Sequence, residues 1–329
     1  MTRASVMVLG AGAWGVALAN VAAFERDHVA LWGHDPEHVA ALARDRENRR
    51  HLPGLPLAGA VAPTADLGEL KDAEIVLGVA PAQAMRGVAR LARPFLREGA
   101  AFVACAKGIE RGSHKFMSEV IAEEAPQVEV AALSGPSFAR DVCKGLPTAV
   151  TLASKREATA RRLAEQLSTK SFRLYRSTDL RGVEIGGAAK NVLAIACGMA
   201  AGRELGASAQ AALIARGFAE LARLGAAWGA RQETLMGLSG LGDLVLTCGS
   251  AQSRNFALGE ALGRGEPPRE ASHGKLAEGA YTASALVEIA RERHVEMPIA
   301  EAVDAILAGR MSVEAAIDAL LMRPLRAEA

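Results

Sequence analysis

Residues 186–198 read GGAAKNVLAIACG, a run of small and apolar side chains interrupted by Lys190 and Asn191. Such a stretch reads as a helix packed closely on its neighbours, where an ammonium costs free energy to bury. Lys190 is therefore a candidate for chemistry. The alternative reading of this stretch alone is a lysine that lays its stem along a partly exposed helix and keeps its head in water.

Other polar residues stand where a core does not need them. Lys107-Gly108 follows the apolar run AFVACA, and Gly135-Pro136-Ser137-Phe138-Ala139 follows VEVAALS. The carboxyl ends of strands in an open α/β sheet are where ligands bind, although each sequence also suits a plain turn. Further on, Asp243 follows Gly240-Leu241-Gly242, and Ser253-Arg254-Asn255 precedes FALGEALGRG. A hydroxyl, a guanidinium and an amide at a helix start suit an anion; Ser253 equally suits a helix N-cap. Glu278 is the one charge in AEGAYTA.

Near the start, VMVLGAGAWG places Gly10, Gly12 and Gly15 as GxGxxG between a strand and a helix. That context points to a dinucleotide. Gly10 permits the tight turn, Gly12 admits the pyrophosphate and Gly15 lets helix pack on strand. Trp14 suits either a cover over the cofactor or core packing. The second strand ends Leu31-Trp32-Gly33-His34-Asp35. The position that usually carries the acid for a ribose 2′-hydroxyl holds Gly33, so a 2′-phosphate is tolerated and His34 can donate to it. NADP or dual use is expected, with Asp35 able to serve NAD from a displaced position.

These residues need a frame to hold them. Runs 5–10, 28–33, 74–80, 101–106, 128–134, 148–154 and 172–177 read as strands alternating with helical segments. That pattern predicts parallel βαβ units and a doubly wound sheet. From about residue 179 the pattern turns helical, over 180–203, 209–230, 251–264, 282–294, 298–308 and 312–322. The expected fold class is α/β, with a Rossmann-type domain over residues 1–178 and an all-helical substrate domain over 179–329. A cleft between them would hold the ligand.

Composition excludes several classes. With 38 basic and 37 acidic residues, 329 in all, and 4% aromatics, the chain lacks the charge and stacking platforms of a nucleic-acid binder. The four cysteines are scattered and form no CxxC pair, which suits a cytoplasmic chain with reduced thiols. The first residues lack the layout of a signal peptide. No apolar run is expected to span a membrane, and no His cluster has metal-ligand spacing.

The set GAGAWG, LWGHDP, AKG, SGPSFA, GGAAKN, GLSGLGDLVLTC, QSRN and AEGAYTA resembles the bacterial NAD(P)-dependent glycerol-3-phosphate dehydrogenases, from about residue 5 to about residue 320. The resemblance implies reversible reduction of dihydroxyacetone phosphate to sn-glycerol 3-phosphate for glycerophospholipid synthesis. NADP or NAD is the implied cofactor, NADPH favoured in the synthetic direction, and a homodimer the implied assembly. It implies Lys190 as general acid/base. It implies substrate contacts by Lys107, Gly135, Ser137, Asp243, Ser253, Arg254 and Asn255. Lys190 itself is expected to meet the substrate, and the neighbouring Asn191 suits either orienting the lysine or binding a substrate hydroxyl. Cofactor contacts fall on Gly10, Gly12, Ala13, Trp14, Gly15, His34, Lys107, Ala139, Arg254, Leu276 and Glu278. The family often has Ser at the Ala13 position and Thr at Ser137. A lysine suits ketone reduction because burial draws its pKa toward working pH. The flanking Gly186 and Gly187 are expected to let ligands approach the helix backbone. A hydroxyacid dehydrogenase, a ketopantoate-type reductase and a non-catalytic NAD(P) sensor are the rival readings.

Overall fold

A computed structural model describes residues 3–272, 274 and 277–323. Its first half alternates β1 (Val6–Leu9), α1 (Ala13–Ala22), β2 (Val29–Trp32), α2 (Pro36–Asp45), β3 (Val61–Thr64), β4 (Ile75–Gly78), α3 (Met85–Ala92), β5 (Ala101–Ala104), α4 (Met117–Glu124), β6 (Glu129–Ser134), α5 (Ala139–Cys143), β7 (Thr148–Ala153), α6 (Glu157–Leu167) and β8 (Phe172–Ser177). The strands form one sheet in the order β3-β2-β1-β4-β5-β6-β7-β8. Alternate residues of β1 enter opposite cores. Val6 and Val8 pack with Leu18 and Leu31, while Met7 and Leu9 pack with Met85 and Phe102. Burial on both faces is why these strands read as continuous apolar runs.

Two features depart from the expected sheet. β3 was not foreseen: VAPT is short, only Val61 is fully buried, and Pro63 is tolerated because the strand lies at the edge. And β7 runs antiparallel to β6, although every other pairing is parallel. The link between those two strands holds the Gly135 turn and the five-residue α5. No full crossover helix is available there to carry the chain back to a parallel start.

After β8 the described chain is helical: α7 (Leu180–Gly202), α8 (Gly206–Ala227), α9 (Gln232–Met236), α10 (Asp243–Cys248), α11 (Arg254–Gly263), α12 (Glu278–Glu292), α13 (Pro298–Leu307) and α14 (Val313–Leu321). By length and composition α7 could cross a membrane, although Arg181, Glu184 and Lys190 interrupt its apolar residues. Yet 83% of its apolar window is buried inside the molecule. It is the central helix of the second half. Its small residues let α11 come into backbone contact. A Cβ on Gly198 would lie 2.1 Å from the Phe256 carbonyl oxygen, and one on Gly259 would lie 2.0 Å from that of Ile195. Gly202 and Gly263 repeat the pattern one turn later. This crossing sets the N-terminus of α11, with Ser253, Arg254 and Asn255, against the helix that carries Lys190.

Candidate active site

β1, β5 and β6 are parallel members of one sheet, so the turns after them share one edge. Gly10, Lys107 and Gly135 therefore lie on the same rim. Gly10 has φ +127°, and a Cβ there would meet the Val79 carbonyl carbon at 2.9 Å. A Cβ on Gly15 would fall 1.7 Å from the Gly10 oxygen. Both positions are closed to any side chain by the protein itself. Gly12 differs: it is exposed and nothing lies within 4 Å of its Cβ position. Gly12 also gives α1 no side-chain cap, and no acid occupies the first turn. An open glycine before uncapped N–H groups suits a pyrophosphate, so these residues fit a dinucleotide. Ala13 and Ala139 are half-buried at the starts of α1 and α5. The Trp14 ring is half-buried and packs towards the core beside Phe172, with ring centres 6.5 Å apart. His34 is exposed at the end of β2. Leu276 lies outside the described residues.

Opposite the rim, Lys190 is buried on α7. Its Nζ donates to Asp243 Oδ1 (2.8 Å) and Thr247 Oγ1 (2.7 Å). The second oxygen of the same carboxylate accepts from Lys107 Nζ at 2.6 Å, and Lys107 also donates to the Gly135 carbonyl at 2.9 Å. One aspartate thus holds two ammoniums from opposite halves of the chain. Asp243 and Thr247 are one helical turn apart on α10, and the Thr247 hydroxyl donates to the Asp243 carbonyl (2.6 Å). Burial lowers the Lys190 pKa to about 8, with Lys107 adding to the fall and Asp243 opposing it. Burial pushes the Asp243 carboxyl up, but the Lys107 and Lys190 ammoniums outweigh it and hold that group below its ordinary value.

Each ammonium has three donors. Two on Lys190 and two on Lys107 are engaged within the protein, which leaves one on each for a ligand. Ser137 is half-buried, its hydroxyl donating to the Gly135 carbonyl at 3.0 Å.

A chain of amides backs the pair. Asn191 donates to the Lys107 carbonyl (3.1 Å), Asn255 donates to Asn191 Oδ1 (2.9 Å), and the Gly279 N–H donates to Asn255 Oδ1 (2.9 Å). Ser253 caps α11 by accepting the Phe256 N–H. Of the Ser-Arg-Asn triplet, only Arg254 presents an exposed head. Glu278 accepts the Ala82 N–H (3.1 Å), and burial raises its pKa.

One expectation needs revision. The glycines beside Lys190 do not open the helix to ligands. A Cβ on Gly186 would meet the Ser239 oxygen at 2.6 Å, and one on Gly187 would meet Ser134 Oγ at 2.7 Å. They admit protein, not substrate. Thr247 is not singled out by the sequence because residues 231–250 fall outside the predicted helices. The signal was present: Asp and Thr at i and i+4 face the same way once DLVLTC is helical. A π-helical turn over Leu238–Gly242 starts that helix, as such turns often do beside functional groups.

A pyrophosphate cradle and a buried, proton-carrying lysine across one rim place the chain among dinucleotide-dependent oxidoreductases. Models of two families cover most of its length: the NAD-dependent glycerol-3-phosphate dehydrogenase N-terminus over residues 5–160 and the C-terminus over 179–318. A relative from a Bradyrhizobium strain, named glycerol-3-phosphate dehydrogenase [NAD(P)+], is 61% identical over 324 residues, 98% of each chain. A protein of the same name from Azorhizobium caulinodans is 61% identical over 323 residues, again 98% of each chain. The crystal structure of a glycerol-3-phosphate dehydrogenase from Coxiella burnetii superposes with a TM-score of 0.94 at 39% identity, covering 98% of this chain and 100% of that one. The chain belongs to the NAD-dependent glycerol-3-phosphate dehydrogenase family, and its cofactor is NAD or NADP.

Proposed function

We propose that this chain interconverts dihydroxyacetone phosphate and sn-glycerol 3-phosphate, with Lys190 as general acid/base. The nicotinamide cofactor, when bound, supplies the hydride. Lys190 supplies the proton to the ketone oxygen in reduction and takes it back in oxidation. The observation that carries this reading is the buried Lys190–Asp243–Lys107 bridge, with Lys190 titrating at about 8 and one N–H free. Before the proton moves, the free donors of Lys190 and Lys107 stabilise charge developing on that oxygen. Asp243 and Thr247 keep the Lys190 head aimed; Asn191 steadies the Lys107 backbone and would serve a substrate hydroxyl. Arg254 and the α11 N-terminus favour the substrate phosphate, with Gly135, Ser137, Ser253 and Asn255 lining the same site. Gly10, Gly12, Ala13, Trp14, Gly15, His34, Lys107, Ala139, Arg254 and Glu278 form the cofactor side. We divide the chain at 178/179, where the sheet ends and α7 begins. A role in glycerophospholipid supply, a homodimer, a cytoplasmic setting and no nucleic-acid partner complete the proposal. The free thiols of all four cysteines support the setting.

The test is oxidation of NADPH, followed by its absorbance, with dihydroxyacetone phosphate as acceptor. Lys190→Ala is expected to lose on the order of a hundredfold or more in kcat while still binding NADPH. Robust turnover in the variant would remove Lys190 from the chemistry. A wild-type chain that reduces a 2-oxoacid and not the ketone phosphate would overturn the substrate.

A further inference from the structure

The end of β2 decides which ribose a dinucleotide site accepts, because an acid there holds a 2′-hydroxyl and a nearby arginine accommodates a 2′-phosphate. Here the usual acid position is sterically closed. A Cβ on Gly33 would lie 2.8 Å from Val39 Cγ2 and 3.2 Å from the Ala11 Cβ. The next acid, Asp35, is engaged elsewhere: its Oδ1 accepts the Glu37 and His38 N–H groups (3.1 and 3.3 Å) and caps α2. Its Oδ2 faces Arg50 Nη1 at 3.8 Å.

Arg50 belongs to a segment tied to the glycine loop. The fully buried Asn48 donates to the Ala11 carbonyl (2.9 Å), and its Oδ1 accepts the His51 N–H (3.0 Å). His38 meets the same Ala11 carbonyl (3.1 Å) and lies edge-on to His51. Ala11 stands between Gly10 and Gly12, so these bonds fix the Arg50 segment beside the cofactor cradle. The environment there is basic. Burial first, and then its neighbours His38, Arg50 and Arg254, hold His51 below the ordinary imidazole range. The Arg50 side chain is 68% exposed. An exposed, single-contact ion pair such as this one with Asp35 is weak, so it yields readily to a phosphate.

We infer that Arg50, with His34, forms a subsite for a phosphomonoester on the ribose 2′-oxygen, and that Arg50 sets a preference for NADPH over NADH. This rests on the dinucleotide reading above and goes beyond it by naming the specificity determinant. A guanidinium fork matches a phosphate dianion, and neither a ribose hydroxyl nor a glycine can replace that contact.

The test is calorimetric titration of the full chain with adenosine 2′,5′-bisphosphate and, separately, with AMP. The wild type is expected to bind the bisphosphate more tightly. Arg50→Ala should weaken the bisphosphate by about tenfold or more and leave AMP within about twofold. Arg50→Lys should recover part of the loss. Asp35→Asn, which still caps α2, should leave AMP binding unchanged. Equal losses for both nucleotides in Arg50→Ala, or no loss, would overturn the subsite. Weaker AMP binding in Asp35→Asn would also overturn it, by giving the ribose hydroxyl to Asp35. Turnover of dihydroxyacetone phosphate by the same wild-type preparation keeps the two readings apart. Its absence would sink the reaction assignment and leave the nucleotide titrations to decide the subsite.

Discussion

Asp243→Asn tests the central electrostatic argument. The side chain keeps its size and its acceptor oxygen but loses the charge that faces Lys190 at 2.8 Å and Lys107 at 2.6 Å. In the wild type, burial and Lys107 push the Lys190 pKa down while Asp243 pushes it up, and the balance is about 8. Removing Asp243 leaves both downward influences unopposed. A charge pair about 4 Å apart at an effective dielectric near 20 is worth about 4 kcal/mol, and each 1.4 kcal/mol is tenfold in a protonation equilibrium. Even with most of that recovered by relaxation, the ratio of protonated to free Lys190 at about pH 8 should fall by at least roughly tenfold. The sign differs between directions. On the proposed role of Lys190, ketone reduction needs the ammonium, so its rate should fall as pH rises through about 8 in the wild type, and in the variant the fall should come at lower pH. Alcohol oxidation needs the free amine, so its rising limb also moves to lower pH. The assay is kcat/KM against pH in both directions, which reports the free enzyme, with circular dichroism to confirm folding. Unmoved inflections, or a shift to higher pH, would refute the account of how Lys190 is tuned.

The glycine loop separates fold from ligand. Gly12→Ala should leave thermal stability nearly unchanged and weaken dinucleotide binding, because its Cβ meets open space; Gly15→Ala should unfold or strongly destabilise the chain, because its Cβ falls on the Gly10 oxygen. Equal melting temperatures for the two variants would contradict this division. Glu220 offers a stability test. It lies buried on α8 and accepts the Ile299 and Ala300 N–H groups at the start of α13, and burial raises its pKa to about 7. The folded chain thus holds this proton more tightly than the unfolded chain. The associated stability is fully present below about pH 4.5 and is lost as pH rises through about 7, a change on the order of 3 kcal/mol. Urea unfolding across that range should show the decline in the wild type and a flatter curve in Glu220→Gln; parallel curves would refute it.

Much of this molecule is legible in the chain order because the deciding interactions are local. Short continuous apolar runs, a GxGxxG between strand and helix, and a shift to helical spacing after residue 178 each depend on near neighbours. They yield seven of the eight described strands, the cradle glycines and the helical second half. β3 was hidden because an edge strand buries little and so leaves little pattern. The reversed β7 was hidden because strand direction depends on the link before it, not on the residues of the strand.

The site divides in the same way. Lys190 stands out in sequence because a charge among small apolar residues is costly, and local composition registers that cost. What the lysine does is set by partners 53 and 57 positions away, Asp243 and Thr247, and by Lys107 on the rim of the sheet. Gly186 and Gly187 look like ligand access until Ser239 and Ser134 are seen against them. Gly33 looks like a missing acid until Val39 and Ala11 are seen packed against its Cβ position. Sequence alone determined which residue types were available and which local conformations they prefer. Only the tertiary structure decided which charges share one carboxylate and which spaces remain open, since both depend on distances between segments that sequence order does not specify.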